Sequence, residues 1–156
     1  MSKIFLASYK GTHAGWQGLI NKGIRFVTQG IYSHSEIVIG DDPFNEEVYC
    51  ASSTGVEGGV RSKMMKLVRE DWDLIEIDWI TKEDVYAWVS KYDADTYDYL
   101  GNVRFLFPFC SEQSSTGWFC SEMCGSILKF SDAWRFDPNT LAVATAHAKL
   151  ITSITK

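Results

Sequence analysis

Several large classes are excluded by what the chain lacks. No apolar run reaches the ~18 residues needed to cross a bilayer, so no stable membrane insertion is expected. Met1 to Gly11 holds only a short apolar run, too short for a signal-peptide core, and reads as a first strand. A cytoplasmic product is therefore expected, or one released without a signal, for instance in a virion. No block of Lys and Arg occurs and the net charge is −5, which disfavours a general grip on nucleic acid. Prolines number only three, and there are no repeats, low-complexity tracts or linkers, so the 156 residues make one domain. The four cysteines, Cys50, Cys110, Cys120 and Cys124, include no C-x-x-C pair. Without an export signal they predict no disulfide framework.

What is present is apolar and aromatic. Hydrophobic residues make up 46%, enough for a sizeable core, with six Trp, seven Tyr and nine Phe to fill it or to line a groove. Alternation predicts a strand over 3–8. Trp16, Leu19, Ile20, Ile24 and Val27 recur at helical spacing and predict a helix over 14–29, closed by Gly30. A β-rich run over 33–39, a turn at Gly40-Asp41-Asp42-Pro43 and a strand over 47–52 form a hairpin, followed by a glycine-rich turn over 53–60. Residues 73–79 alternate as a strand. Thr81 then reads as an N-cap with acidic residues behind it, opening a helix to about Tyr92. Further helices are expected over 97–105, broken at Phe107-Pro108-Phe109, over 119–128, and as a short Ala-rich segment starting at Asp137-Pro138. The expected class is α+β, an antiparallel sheet with helices on one side.

The chemistry concentrates in two segments. In Trp118-Phe119-Cys120-Ser121-Glu122, a cysteine stands where an apolar stretch becomes a helix. Unsatisfied N–H groups and the helix dipole lower a thiol pKa there, and the thiolate is the nucleophilic form. In Tyr32-Ser33-His34-Ser35-Glu36, a strand carries a base and a carboxylate on one face, since residues i and i+2 share a face. With Gly40 to Glu46 as the hairpin loop, Val38 falls near Val48, Glu36 near Cys50 and His34 near Ser52, so Cys50 and Ser52 join the same side. A one-residue slip reverses this. Nucleophile, base and orienting group are the parts of an acyl hydrolase, and the first N–H groups of the cysteine helix can hold an oxyanion. Taken singly, His34 is better read as an ordinary strand histidine, and Cys120 is as well read as a buried thiol. A zinc set of His34, Cys50, Cys120 and Cys124 is a weaker alternative, because the spacings match no compact zinc pattern. A Cys50–Cys120 redox pair is another.

The runs Tyr32-Ser33-His34-x-x-Ile37-Val38-Ile39-Gly40, Val48-Tyr49-Cys50-Ala51-Ser52, Gly58-Gly59-Val60, Tyr97-Asp98 and Trp118-Phe119-Cys120-Ser121-Glu122 resemble the circularly permuted branch of the NlpC/P60 superfamily, papain-like cysteine hydrolases of the YiiX/YebB type. The histidine comes early and the cysteine late, as in that permutation, and the likeness covers most of residues 3–130. It implies a papain-like fold, Cys120 as nucleophile, His34 as base and a third polar residue just before Ala51. That third place holds Cys50, a departure, since a thiol is a poor partner for an imidazole. Glu36 and Ser52 are the replacements on the same face, and a dyad is the remaining possibility. Glu36 is equally well read as the partner of Arg25 or Arg61. Tyr9 and Ser121 join Ser52 as candidates for substrate or oxyanion contacts. The resemblance implies no metal and no cofactor. It implies a peptide, cell-wall-peptide or lipid-like acyl substrate cut at an amide, ester or thioester bond. It also admits a weakened or inactive binding protein, of phage or prophage kind, that keeps the fold.

Overall fold

The computed structural model describes residues 2–12, 16–93, 95–97 and 117–154. In chain order the elements are β1 (Ile4–Tyr9), α1 (Trp16–Thr28), β2 (His34–Ile39), β3 (Val48–Thr54), β4 (Gly59–Met65), β5 (Trp72–Ile77), α2 (Lys82–Tyr92), β6 (Thr96–Tyr97), β7 (Gly117–Trp118), α3 (Cys120–Ile127), a 3-10 turn (Ala133–Arg135) and α4 (Pro138–Ile154). Five antiparallel strands in the order β5-β1-β2-β3-β4 form the sheet. The two-residue strands β6 and β7, parallel to each other, extend it at the β4 edge. The mixed α+β class expected from the sequence is the one observed.

Alternation along the strands divides the sheet into two faces. Ile4, Leu6, Ile37, Ile39 and Ala51 pack with Val85 and Val89 of α2, Met123, Cys124 and Ile127 of α3, and Leu141 of α4. The opposite face carries a smaller core of Phe5, Ala7, Tyr9, Val38, Cys50 and Trp72, covered by Leu67 and Phe44 from the loops. Helix α3 is buried on nearly every side, which accounts for its lack of Lys and Arg. It ends in a Schellman turn: Lys129 takes a left-handed φ of 64°, its N–H reaches Ser126 O, and the Phe130 N–H reaches Gly125 O.

Four expectations are corrected. The β2–β3 register is offset by two residues, with Val38 opposite Cys50 rather than Val48, because the turn spans Asp41 to Glu47, held by Asn45 and Glu46 N–H groups on Asp42 O. An even offset leaves every side chain on its expected face. Strand β4 takes Gly59 and Val60 from the expected turn and continues to Met65, where no strand is expected: Arg61-Ser62-Lys63 is polar and largely exposed, so no apolar alternation marks it. Gly59 must be glycine, with φ 151° and the Asp95 carbonyl 2.1 Å from where a Cβ would stand. Helix α1 is closed by Gln29 in the left-handed region (φ 51°), with the Gly30 N–H on Arg25 O. Gly30 is small for another reason: a Cβ there would lie 2.1 Å from the Asn139 side chain. The last helix is long, running 17 residues. The helix expected over 97–105 begins at Tyr97, which lies in β6; its other residues, with Asp98 and Cys110, lie outside the described residues.

Thr81 caps α2 as the sequence predicts. Its hydroxyl accepts the Asp84 N–H at 3.2 Å while Asp84 Oδ2 accepts the Thr81 N–H at 2.9 Å. Thr81→Ala is expected to lower stability by about 1 kcal/mol, read as a urea midpoint shift at constant slope.

Candidate active site

The β2–β3 ladder pairs Ile37 with Ala51, Val38 with Cys50 and Ile39 with Tyr49, and His34, Ser35 and Glu36 lie beyond it toward the start of β2. Helix α3 brings its first residue to that end. Its N-cap, Phe119, is extended and makes no side-chain cap, so the opening turn keeps its N–H groups for Cys120. The thiol is 5% exposed. Burial opposes its ionisation, but the His34 imidazolium and the backbone N–H groups of Ser35 and Ser121 outweigh that, and the pKa falls below the ordinary value.

His34 is the other half of the pair. Burial works against its charge, yet the Cys120 thiolate and the Glu36 carboxylate lift its pKa to about 9. Its Nε2 lies 3.2 Å from Glu36 Oε1, which leaves Nδ1 for the thiol. Cys120 and His34 therefore each favour the other's charged form, the thiolate and the imidazolium.

Glu36 is 2% exposed and has two positively charged partners. Arg61 Nη2 donates to Oε1 at 2.6 Å and Nη1 donates to Oε2 at 3.1 Å, a two-pronged grip. Burial alone would raise the carboxyl, but His34 and Arg61 hold it at about 2. Glu57 in turn accepts Arg61 Nε at 2.6 Å. The two readings of Glu36, on the imidazole or on an arginine, hold together: one carboxylate does both. The arginine is Arg61. Arg25 instead donates to Gly11 O, and its Nη2 stands 3.4 Å from Ser33 Oγ, fastening α1 to the residue before His34.

The other sequence candidates are distributed as follows. Cys50, the position the resemblance gives to the orienting residue, is turned into the smaller core, its thiol 3.6 Å from Val48 O and its pKa pushed to about 12 by burial, with Glu36 adding to the rise. Ser52 does not face the imidazole. Its hydroxyl donates to Ser35 O at 2.7 Å and so braces the peptide segment whose N–H serves Cys120. The Ser121 hydroxyl is spent on Phe136 O at 2.6 Å, leaving its backbone N–H as its contribution to the site. Tyr9 pairs with His34 across β1 and β2. Its ring meets Trp72 at 5.0 Å, and burial followed by the Asp71 charge raises its pKa, so the phenol stays protonated. Cys124, one turn behind Cys120, is fully buried with its pKa driven well up by burial, so the two thiols of α3 are shifted in opposite directions.

One residue beside the site carries no signal in the sequence: Trp72 stands edge-on to His34 at 6.3 Å and closes one side of the imidazole. Arg61, one of the two arginines the sequence offers to Glu36, lies on β3's neighbour, opposite Ser52, and so shares the face of Glu36. Cys50, Cys120 and Cys124 are free thiols, and among the described residues no group of three or more His, Cys, Asp or Glu is arranged to hold a metal ion. No helix of the described residues is long and apolar enough to cross a membrane. No family model, no curated protein and no solved structure matches the chain.

Proposed function

We propose that the chain is a cysteine-dependent acyl hydrolase of the permuted NlpC/P60 kind, with Cys120 as nucleophile, His34 as base and acid, and Glu36 orienting the imidazole. The observation that carries this reading is the alignment of a buried, acidified thiol at a helix start with an imidazole whose far nitrogen rests on a carboxylate at 3.2 Å. A buried cysteine with only a packing role has its pKa raised, as Cys50 and Cys124 do.

In the proposed reaction the Cys120 thiolate forms a C–S bond to the substrate carbonyl carbon, and the carbonyl electrons move onto oxygen. The Ser121 N–H at the helix start, which already reaches the thiol, is the donor offered to that oxyanion. As the tetrahedral species collapses, the His34 imidazolium gives its proton to the departing nitrogen, oxygen or sulfur. Neutral His34 then takes a proton from water, whose oxygen attacks the thioester. The acid leaves, and thiolate and imidazolium are restored. Throughout, Glu36 keeps the Nε2–H fixed and Arg61 keeps Glu36 ionised.

Hydrolysis of p-nitrophenyl esters and acyl thioesters, with the acyl-enzyme followed by mass, tests the proposal. A bell-shaped pH profile is expected. The acid limb reports protonation of the Cys120 thiol, below the ordinary cysteine range. The alkaline limb falls through about 9 as His34 loses the proton it must donate. No turnover, no acyl adduct and a Cys120 alkylated no faster than Cys50 would instead identify a binding protein that keeps the fold.

A further inference from the structure

All 20 acidic residues lie between Glu36 and Asp137. The flanking segments, 1–35 and 138–156, hold Lys3, Lys10, Lys22, Arg25, Lys149 and Lys156 and no carboxylate side chain. In a chain of net charge −5 this is a strong separation of sign, and the fold joins the two ends. Helix α1 comes from the first segment and α4 from the second. They meet at Asn139, whose side chain donates to Thr28 Oγ1 at 2.9 Å and Tyr32 O at 3.0 Å and accepts the Tyr32 N–H at 2.8 Å.

Both helices also turn large apolar residues to solvent. On α1, Leu19 and Phe26, seven residues apart and hence on one stripe, are 61% and 78% exposed, with Ile20 beside them at 44%. The inward side is polar: Arg25 reaches Gly11 O and Ser33, and Thr28 meets Asn139. On α4, Leu141 and Thr145 face the core while Val143, Leu150 and Ile154, spaced 7 and 4 apart, are 71%, 61% and 82% exposed. An open groove of about 630 Å³ is lined by α4 residues from Asn139 through Val143 and His147. Lys3 and Lys10 are paired with Glu76 and Asp73 on the sheet, whereas Lys22 is exposed beside the Leu19–Phe26 stripe.

We infer that the exposed apolar stripes of α1 and α4, joined through Asn139, together form a peripheral docking surface for an anionic lipid bilayer. A water-facing helix with its polar side turned inward gains by laying its apolar stripe at an acyl–headgroup boundary. The absence of any carboxylate from both helices removes the repulsion an acidic protein would otherwise meet at a negative headgroup layer, and Lys22 adds attraction. The chain then lies on the membrane without crossing it. Because Arg25 ties α1 to Ser33, the docked helix sets His34 close to that interface. Docking itself does not depend on catalysis.

Flotation of the full chain with vesicles of phosphatidylcholine alone, and of phosphatidylcholine and phosphatidylglycerol in equal parts, tests this. Binding to the mixed vesicles is expected, weaker on neutral ones and reduced by salt. Phe26→Glu and Leu150→Glu should each weaken binding about tenfold or more. Val56→Glu, an equally exposed apolar site on the β3–β4 turn, should bind as the parent does, and so should Cys120→Ser, whatever the fate of hydrolysis. Circular dichroism establishes that each variant is folded. Absence of binding to both vesicles, or binding indifferent to Phe26→Glu and Leu150→Glu, overturns the inference. So does a dimer in light scattering that Phe26→Glu dissolves while vesicles are ignored, which would make a second copy the occupant.

Discussion

Cys120→Ala is expected to remove acyl hydrolysis by about 10⁴-fold or more, since nucleophile and base act as one unit and loss of either forfeits nearly the whole rate. Iodoacetamide labelling at neutral pH gives the companion result. Cys120 should label first, because His34 and the backbone N–H groups lower its pKa, while Cys50, with its pKa pushed to about 12, and the fully buried Cys124 should resist. Cys50→Ala separates the position suggested by resemblance from the geometry observed. Its thiol packs in the smaller core and touches no part of the imidazole, so hydrolysis should survive the change at a modest cost in stability. An enzyme silenced by Cys50→Ala but tolerant of Cys120→Ala would refute the assignment of nucleophile.

Glu36→Ala should be the most destabilising single change in the site, by about 3–5 kcal/mol, because it strands the buried Arg61 charge as well as freeing the imidazole. The same carboxylate sets the acid side of the stability curve. Its pKa is about 2 when folded against 4.5 for the unperturbed group, so its contribution is fully present above 4.5 and is lost as pH falls toward 2. That shift corresponds to about 3 kcal/mol. His34 acts with the opposite sign. Its folded pKa of about 9 exceeds the unperturbed 6.5, so its contribution is full below 6.5 and disappears as pH rises through 9. Glu36→Ala should flatten the acid slope in urea titrations at stepped pH. The double variant Glu36→Leu with Arg61→Met should be less damaged than Glu36→Ala alone, since no buried charge is left unpaired. Equal or greater damage from the double variant would mean that the pair is not the source of the effect.

Local signals carried most of what could be read from the residues. The N-cap at Thr81, the cysteine at a helix start and the Ser-His strand all depend on residues a few positions apart, and all three lie where the sequence places them. Glu36 beside His34 was also within reach, because i and i+2 on one strand share a face and a glutamate is long enough to reach back. Long-range facts were harder. The hairpin register depends on how Asp42 folds the turn, which alternation leaves open to any even offset. Strand β4 has its charged residues on the face that meets Glu36, so its apolar period is broken by the very arginine the site uses. Ser52 and Ser121 stand near the chemistry in the sequence, but a buried hydroxyl bonds to the nearest free carbonyl, and both hydroxyls found one.

The double engagement of Glu36 also bears on how such a chain would change over generations. Selection for folding alone would retain Glu36 and Arg61, since losing either leaves its partner charged in the interior. Cys120 and His34 have no comparable hold once turnover is not needed, and a small apolar residue replaces a buried thiol cheaply. A descendant that had given up hydrolysis would thus keep the carboxylate and the arginine as relics, and the first residue to drift would be the cysteine.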